Sequence, residues 1–124
     1  MSRCYNRTYL LGHVTRDAEL KYMPDGTAVA SFGIAINESW KDKTTGQKQE
    51  KVDYFDCDFY GSGGENTSPY ILKGKQVFIE AFLHQNRWKD KTTGEKKSRV
   101  RVRVRTLILT SGDDWNKGRD DSPS

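Results

Sequence analysis

Long apolar runs are missing from this sequence. No stretch approaches the roughly 18 consecutive apolar residues of a membrane-spanning helix, and the opening Met1-Ser2-Arg3-Cys4-Tyr5-Asn6-Arg7 carries no hydrophobic signal region. A soluble, cytoplasmic protein without a membrane partner is expected. Cysteine is scarce as well: Cys4 and Cys57 lack the spacing of a zinc site, and both are expected as reduced core residues. His13 and His84 stand far apart with no set of partner ligands, so both are expected as ordinary polar residues, and no metal or other cofactor is implied. Hydrophobic residues make up only 34% of the 124 residues, which predicts one domain with a thin core. Strands suit that composition, because alternate residues face solvent.

What the chain does have is charge, unevenly placed. From His84 to Arg105 nine Lys or Arg residues stand against two acids, while the remainder is slightly acidic. A concentrated basic patch is the footprint of a polyanion partner, whereas scattered charge would serve solubility alone.

One phrase is written twice: Trp40-Lys41-Asp42-Lys43-Thr44-Thr45-Gly46-Gln47-Lys48 and Trp88-Lys89-Asp90-Lys91-Thr92-Thr93-Gly94-Glu95-Lys96, identical at eight of nine positions. Each follows a strand-like run and ends in Thr-Thr-Gly, where glycine supplies the positive φ of a tight connection, so each reads as a hairpin tip. A large aromatic among lysines offers a π-face beside positive charge, as an unpaired base and its phosphate require.

Around these tips the alternation predicts five strands. Tyr5 to Val14 forms the first, followed by a short charged link from Arg16 to Tyr22 and a turn at Pro24-Asp25-Gly26. The second, Thr27 to Asn37, puts Ala28, Ala30, Phe32, Ile34 and Ile36 on one face. The third, Val52 to Tyr60, separates inward Phe55, Cys57 and Phe59 from outward Tyr54, Asp56, Asp58 and Tyr60. Gly61 to Glu65 reads as a break, and a short helix is expected from Ser68-Pro69 to Gly74. Gln76 to Phe82 begins the fourth strand, and Arg99 to Leu109 the fifth, with Val100, Val102 and Val104 inward and arginines outward. Residues 111–124 read as a polar, mobile tail after a domain spanning 1–110, with Trp115 either loose or a docking anchor. Five strands with a helix between the third and fourth is the order of an all-β OB barrel with long basic hairpin loops.

Asn6-Arg7, Asp17-x-Glu19-Leu20-Lys21-Tyr22-x-Pro24-x-Gly26-x-Ala28-Val29-Ala30, Phe32-x-Ile34-Ala35, Trp40-Lys41-Asp42, Tyr70-x-x-Lys73-Gly74-x-x-Val77-x-Ile79-Glu80 and Trp88-x-Asp90 together resemble the bacterial and organellar single-stranded DNA-binding protein family, from about residue 3 to about residue 110. The resemblance implies a non-catalytic, nucleoid-associated homotetramer, or a closely related assembly, that coats single-stranded DNA in replication, recombination and repair. It implies base stacking on Trp40, Tyr54, Tyr60 and Trp88, and phosphate contacts from Arg3, Lys43, Lys73 and Arg87. Family members usually carry a long linker ending in an acidic Pro-Phe tip that recruits partners; the final Asp120-Asp121-Ser122-Pro123-Ser124 lacks that aromatic, so C-terminal recruitment does not carry over.

Other readings compete. An RNA-binding OB module would use the same aromatics. Asp56 and Asp58, with Glu50 or Asp53 nearby, could hold Mg²⁺ in a metal-dependent nuclease; alternatively the two aspartates pair with arginines of the last strand, its neighbour in an OB barrel. The arginine ladder itself fits an ordinary solvent face, and Tyr5, Tyr9, Tyr22 and Tyr70 are expected to pack rather than stack.

Overall fold

The computed structural model describes residues 3–110; the tail and Trp115 lie outside the described residues. Strand β1 spans Thr8–Tyr22, β2 Ala28–Lys41, β3 Lys48–Tyr60, helix α1 Gly61–Thr67, β4 Gln76–Lys89 and β5 Lys96–Leu109, with one 3-10 turn at Ser68–Tyr70. The strands close in the order β1-β2-β3-β5-β4, the five-stranded OB barrel with one short helix between β3 and β4.

Closure depends on β1 serving two neighbours. Thr8 to His13 pairs with β4, and His13 to Tyr22 pairs with β2. Register shifts on either side of Arg16 bend the strand between these partners. The charged segment 16–22, expected as a link, is therefore strand: Glu19 to Tyr22 pair with β2, and at the bulge the Ala18 N–H donates to the Ile71 carbonyl at 2.9 Å. A three-pair parallel joint, Cys57 to Val102, Asp58 to Arg103 and Phe59 to Val104, closes β3 onto β5.

The core is thin, as composition demands. Phe32, Ile34, Cys57, Ile71, Val77 and Ile79 are fully buried. Val102 and Val104 face in, whereas Val100 is exposed because β5 has there left the barrel for the hairpin. Burial pushes the Cys57 thiol up to about 12, with Asp58 and Asp56 adding to the rise. Cys4 departs from expectation: it precedes β1, nothing covers it, and both cysteines are free.

The helix forms one element earlier than composition indicates. Gly61, at φ +83°, turns the chain off β3, and the glycine-rich stretch read as a break becomes α1. Close approach is the reason. A Cβ on Gly64 would collide with the Phe59 carbonyl oxygen, and one on Gly63 would lie 2.9 Å from the Phe59 ring. Ser68-Pro69 starts only the 3-10 turn, which delivers Ile71 into the core.

Candidate nucleic-acid interface

Both repeated phrases build the same turn. Asp42 donates its N–H to the Gln47 carbonyl (2.8 Å), Gly46 donates to the Asp42 carbonyl (2.7 Å), and the Asp42 carboxylate accepts from the Thr44 N–H (2.7 Å). In the second copy Asp90, Glu95, Gly94 and Thr92 repeat these bonds at 2.8, 2.8 and 2.7 Å. Gly46 and Gly94 sit at φ +75° and +77°. Backbone N–H bonds from Thr92 and Thr93, with Lys97 beside them, hold the Asp90 carboxyl below its ordinary range. The tryptophans stand on the strand shoulders rather than at the turns, Trp40 opposite Gln49 and Trp88 opposite Lys97. They are 47% and 44% exposed, which leaves a ring face open on each.

Strand alternation sorts the aromatics by face. Tyr54, Asp56, Asp58 and Tyr60 project outward from β3, and Tyr54 is 71% exposed. Phe82 pairs with Arg103 on the same outer side, which Trp88 shares by its even spacing along β4. Trp40 differs. Ala35 opposes Tyr54 in an unbroken register, so Trp40 lies on the opposite side of the β2–β3 ribbon from Tyr54. The structure thus brings Tyr54, Tyr60 and Trp88 onto one surface and sets Trp40 around its edge.

Between Tyr54 and Tyr60 runs a band of ion pairs. Arg101 grips Asp58 with two bonds, Nε to Oδ2 at 2.6 Å and Nη2 to Oδ1 at 2.9 Å, and the Ser31 hydroxyl donates to Oδ1 at 2.9 Å. The pairing of these aspartates with last-strand arginines is borne out. Asp58 is nonetheless 8% exposed despite its outward side, because the guanidinium and Ser31 close over it. Burial pushes its carboxyl up, but the bonds from Arg101 and Ser31 and the charges of Arg101 and Arg103 outweigh that and leave it below 3.8. Asp56 is held more loosely, 3.5 Å from Arg16 Nη2 and 3.8 Å from Arg101 Nη1. Arg103 lies 4.3 Å from the Tyr60 ring centroid and 5.9 Å from that of Phe82, so one face of Tyr60 is covered by a cation.

This arrangement weighs against the nuclease reading. Asp58 is committed to Arg101, Asp56 lies between Arg16 and Arg101, Asp53 projects to the other side and meets Lys51 at 3.7 Å, and Glu50 meets Lys48 at 3.6 Å. Among the described residues no group of three or more His, Cys, Asp or Glu side chains could hold a metal ion.

The expected phosphate contacts spread over the molecule. Lys43 occupies the first hairpin turn and is exposed. Arg87 donates to Gln85 Oε1 at 2.7 Å and helps line a concavity of about 450 Å³ with Trp88, Lys89, Lys96 and Lys97. Arg3 is exposed on the segment before β1, which Asn6 ties to the Leu83 backbone at 2.7 and 2.9 Å. Lys73 lies apart from the hairpins, at the β1 bend, with its N–H donating to Asp17 at 2.8 Å. Tyr5, Tyr9, Tyr22 and Tyr70, expected to pack, are all exposed. Tyr9 stacks on Phe78 at 6.3 Å and Tyr22 donates to Glu65 at 2.7 Å, so two of them pack on the barrel's surface rather than within it.

The family model described as the single-strand binding protein family matches residues 5–110. The chain belongs to that family. Among solved structures, the Plasmodium falciparum SSB in complex with ssDNA superposes with a TM-score of 0.78 at 24% identity, covering 90% of this chain and 99% of that one. A deletion mutant of the single-stranded DNA binding protein from Thermus aquaticus superposes with a TM-score of 0.78 at 29% identity, covering 91% of this chain. This chain matches 54% of that protein, about half its length.

Sequence reasoning missed Arg16, hidden in a charged stretch read as a link. The one available signal was Gly33, a glycine in a strand interior, which marks close approach of another group. It also missed the Arg103 stack on Tyr60, since nothing in a regular alternation says which arginine meets which ring.

Proposed function

We propose that this protein binds single-stranded DNA without base specificity and without a catalytic step. Bases stack on Tyr54, Tyr60 and Trp88 across the outer face and on Trp40 around the edge of the first hairpin. Arg3, Lys43, Lys73 and Arg87 follow the phosphates. The observation that carries this reading is the outer face itself, where open aromatic rings alternate with guanidinium groups on rigid paired strands. Every base has a π-face, so such a surface tolerates any sequence. Arg103 beneath Tyr60 directs a stacking base to the ring's other face.

The working unit in this reading is a homotetramer acting on the nucleoid in the cytoplasm. It is supported by an apolar row across β1, β4 and β5, in which exposed Leu11, Ile108 and Tyr9 flank half-buried Phe78. A row of this kind is a natural site for burial between copies. Light scattering of the purified protein tests the assembly, with a monomer at micromolar concentration as the contrary result.

Fluorescence anisotropy with labelled oligo-dT, matched against an RNA oligomer of equal length, tests the main reading. Tight DNA binding with weaker RNA competition is expected. Preferred RNA binding would make the chain an RNA module.

A further inference from the structure

Arg16 reaches the outer face by an unusual route. It belongs to β1, yet its guanidinium crosses β2 to meet Asp56 of β3. The crossing is open because residue 33 is glycine: a Cβ there would lie 2.5 Å from Arg16 Nη1. Gly33 opposes Arg16 on one side and Asp56 on the other, so the three form one row across the sheet, with Arg101 completing it from β5. That row lies between Tyr54 and Tyr60.

The two aspartates of this surface are held differently. Asp58 is gripped by a bidentate fork at 2.6 and 2.9 Å, the range of strong charge-assisted bonds. Asp56 has contacts of 3.5 and 3.8 Å only, and its side chain remains 40% exposed while that of Arg16 is 52% exposed. A loose, solvated pair contributes little, so either partner is easily exchanged. A phosphodiester offers an arginine the same kind of paired oxygen acceptor as a carboxylate, and the planar fork matches both.

We propose that Arg16 is a DNA-contacting residue whose exchangeable resting partner is Asp56. In the free protein Asp56 keeps the Arg16 guanidinium laid over Gly33 on the stacking surface. An arriving phosphate takes over the outward donors of Arg16, and Asp56 remains beside Arg101, which Asp58 holds in place. Asp56 thereby orients an arginine for the strand and lowers affinity below what the arginines alone would give, which favours release. This explains two acids on a DNA-facing strand: one locks an arginine and the other lends one.

The inference rests on the single-strand-binding reading and is tested with Arg16→Gln, Asp56→Asn and the double variant, using anisotropy of labelled oligo-dT across a salt series. Arg16→Gln should weaken binding and make the log-log salt slope shallower by about 0.7, one single-strand phosphate contact. Asp56→Asn should tighten binding by up to about fivefold, the value of an exposed pair. The gain should vanish in the double variant, because there is no Arg16 left to release. If Arg16→Gln leaves affinity and slope unchanged, or the full gain of Asp56→Asn persists without Arg16, the proposal is overturned; in the second case Asp56 merely repels the strand. Tight wild-type binding that falls in Trp88→Ala would leave the main reading intact under either result. Melting temperatures of the two single variants within about 2 °C of wild type, as for ordinary surface changes, show that the fold is unaltered.

Discussion

Asp58→Asn removes the charge that holds Arg101 while keeping the size and one acceptor oxygen of the side chain. Breaking a buried ion pair from one side costs about 3–5 kcal/mol. Here the Arg101 side chain is 19% exposed, so water reaches the orphaned guanidinium, and the amide oxygen still accepts from Ser31. A loss of about 2–3 kcal/mol is therefore expected. At about 4 °C per kcal/mol for a domain near this size, melting should fall by roughly 8–12 °C at fixed protein concentration. The folded carboxyl lies below its ordinary 3.8, so its contribution is fully present above that value and disappears as pH falls through the lower folded value. The gap between wild type and variant should thus be constant near neutrality and close in strong acid. Replacing both partners, Asp58→Leu with Arg101→Met, should recover much of the loss, because no buried charge is then left alone. A shift under about 3 °C for Asp58→Asn, a value typical of unremarkable surface changes, would refute the structural role of the pair. So would strict additivity of the two replacements.

Trp40→Ala and Trp88→Ala should each weaken oligo-dT binding by about 1–3 kcal/mol with melting unchanged, and wild-type affinity in both would remove the shoulders from the site. Affinity should fall with salt at a log-log slope of about −0.7 per phosphate neutralised, which a salt series checks directly. Gly64→Ala should destabilise by about 1–3 kcal/mol in thermal melting, since the new Cβ meets the Phe59 carbonyl, a backbone atom that cannot swing away. A thiol reagent should modify exposed Cys4 at once and Cys57 only on unfolding, because Cys57 is buried and its thiol stays protonated up to about 12.

The parts of the fold that alternate strictly were legible in the sequence. Phe32 and Ile34 on β2, and Val102 and Val104 on β5, announce an inward face at period two and are buried accordingly. The strand limits were not, because the hairpins run on beyond the barrel, where both ribbon sides are wet and polar residues such as Asn37, Glu38 and Ser39 carry no alternation. Segment 16–22 was illegible for a related reason: bulges around Arg16 break the period just where the strand changes partners. The helix was misplaced because glycine weakens helices in general, whereas at Gly63 and Gly64 packing against Phe59 admits nothing larger. In the site, the facing of Tyr54 and Tyr60 could be counted along β3. The reach of Arg16 across β2 depends on a three-strand register that no single strand contains.

The repeated phrase now divides into two halves with different causes. Its Asp, second Thr and Gly are consumed by the turn: Asp42 and Asp90 accept from the backbone, Thr45 and Thr93 accept from the N–H groups of Gln47 and Glu95 at 3.2 Å, and Gly46 and Gly94 supply positive φ. Hairpin chemistry alone accounts for their recurrence. It does not account for the tryptophans, which make no bond in either turn and keep nearly half their surface open to water. Two exposed indoles cost solubility without helping the ribbon, so their presence favours a ligand. Their placement then constrains how the proposed ligand lies. Trp88 shares the outer face with Arg103 and Phe82, while Trp40 stands on the reverse of the ribbon that carries Tyr54. A strand that meets both Tyr54 and Trp40 of one copy cannot run straight across the barrel; it has to turn around the edge of the β2–β3 hairpin, and a flexible single strand can make that turn where a stiff duplex cannot.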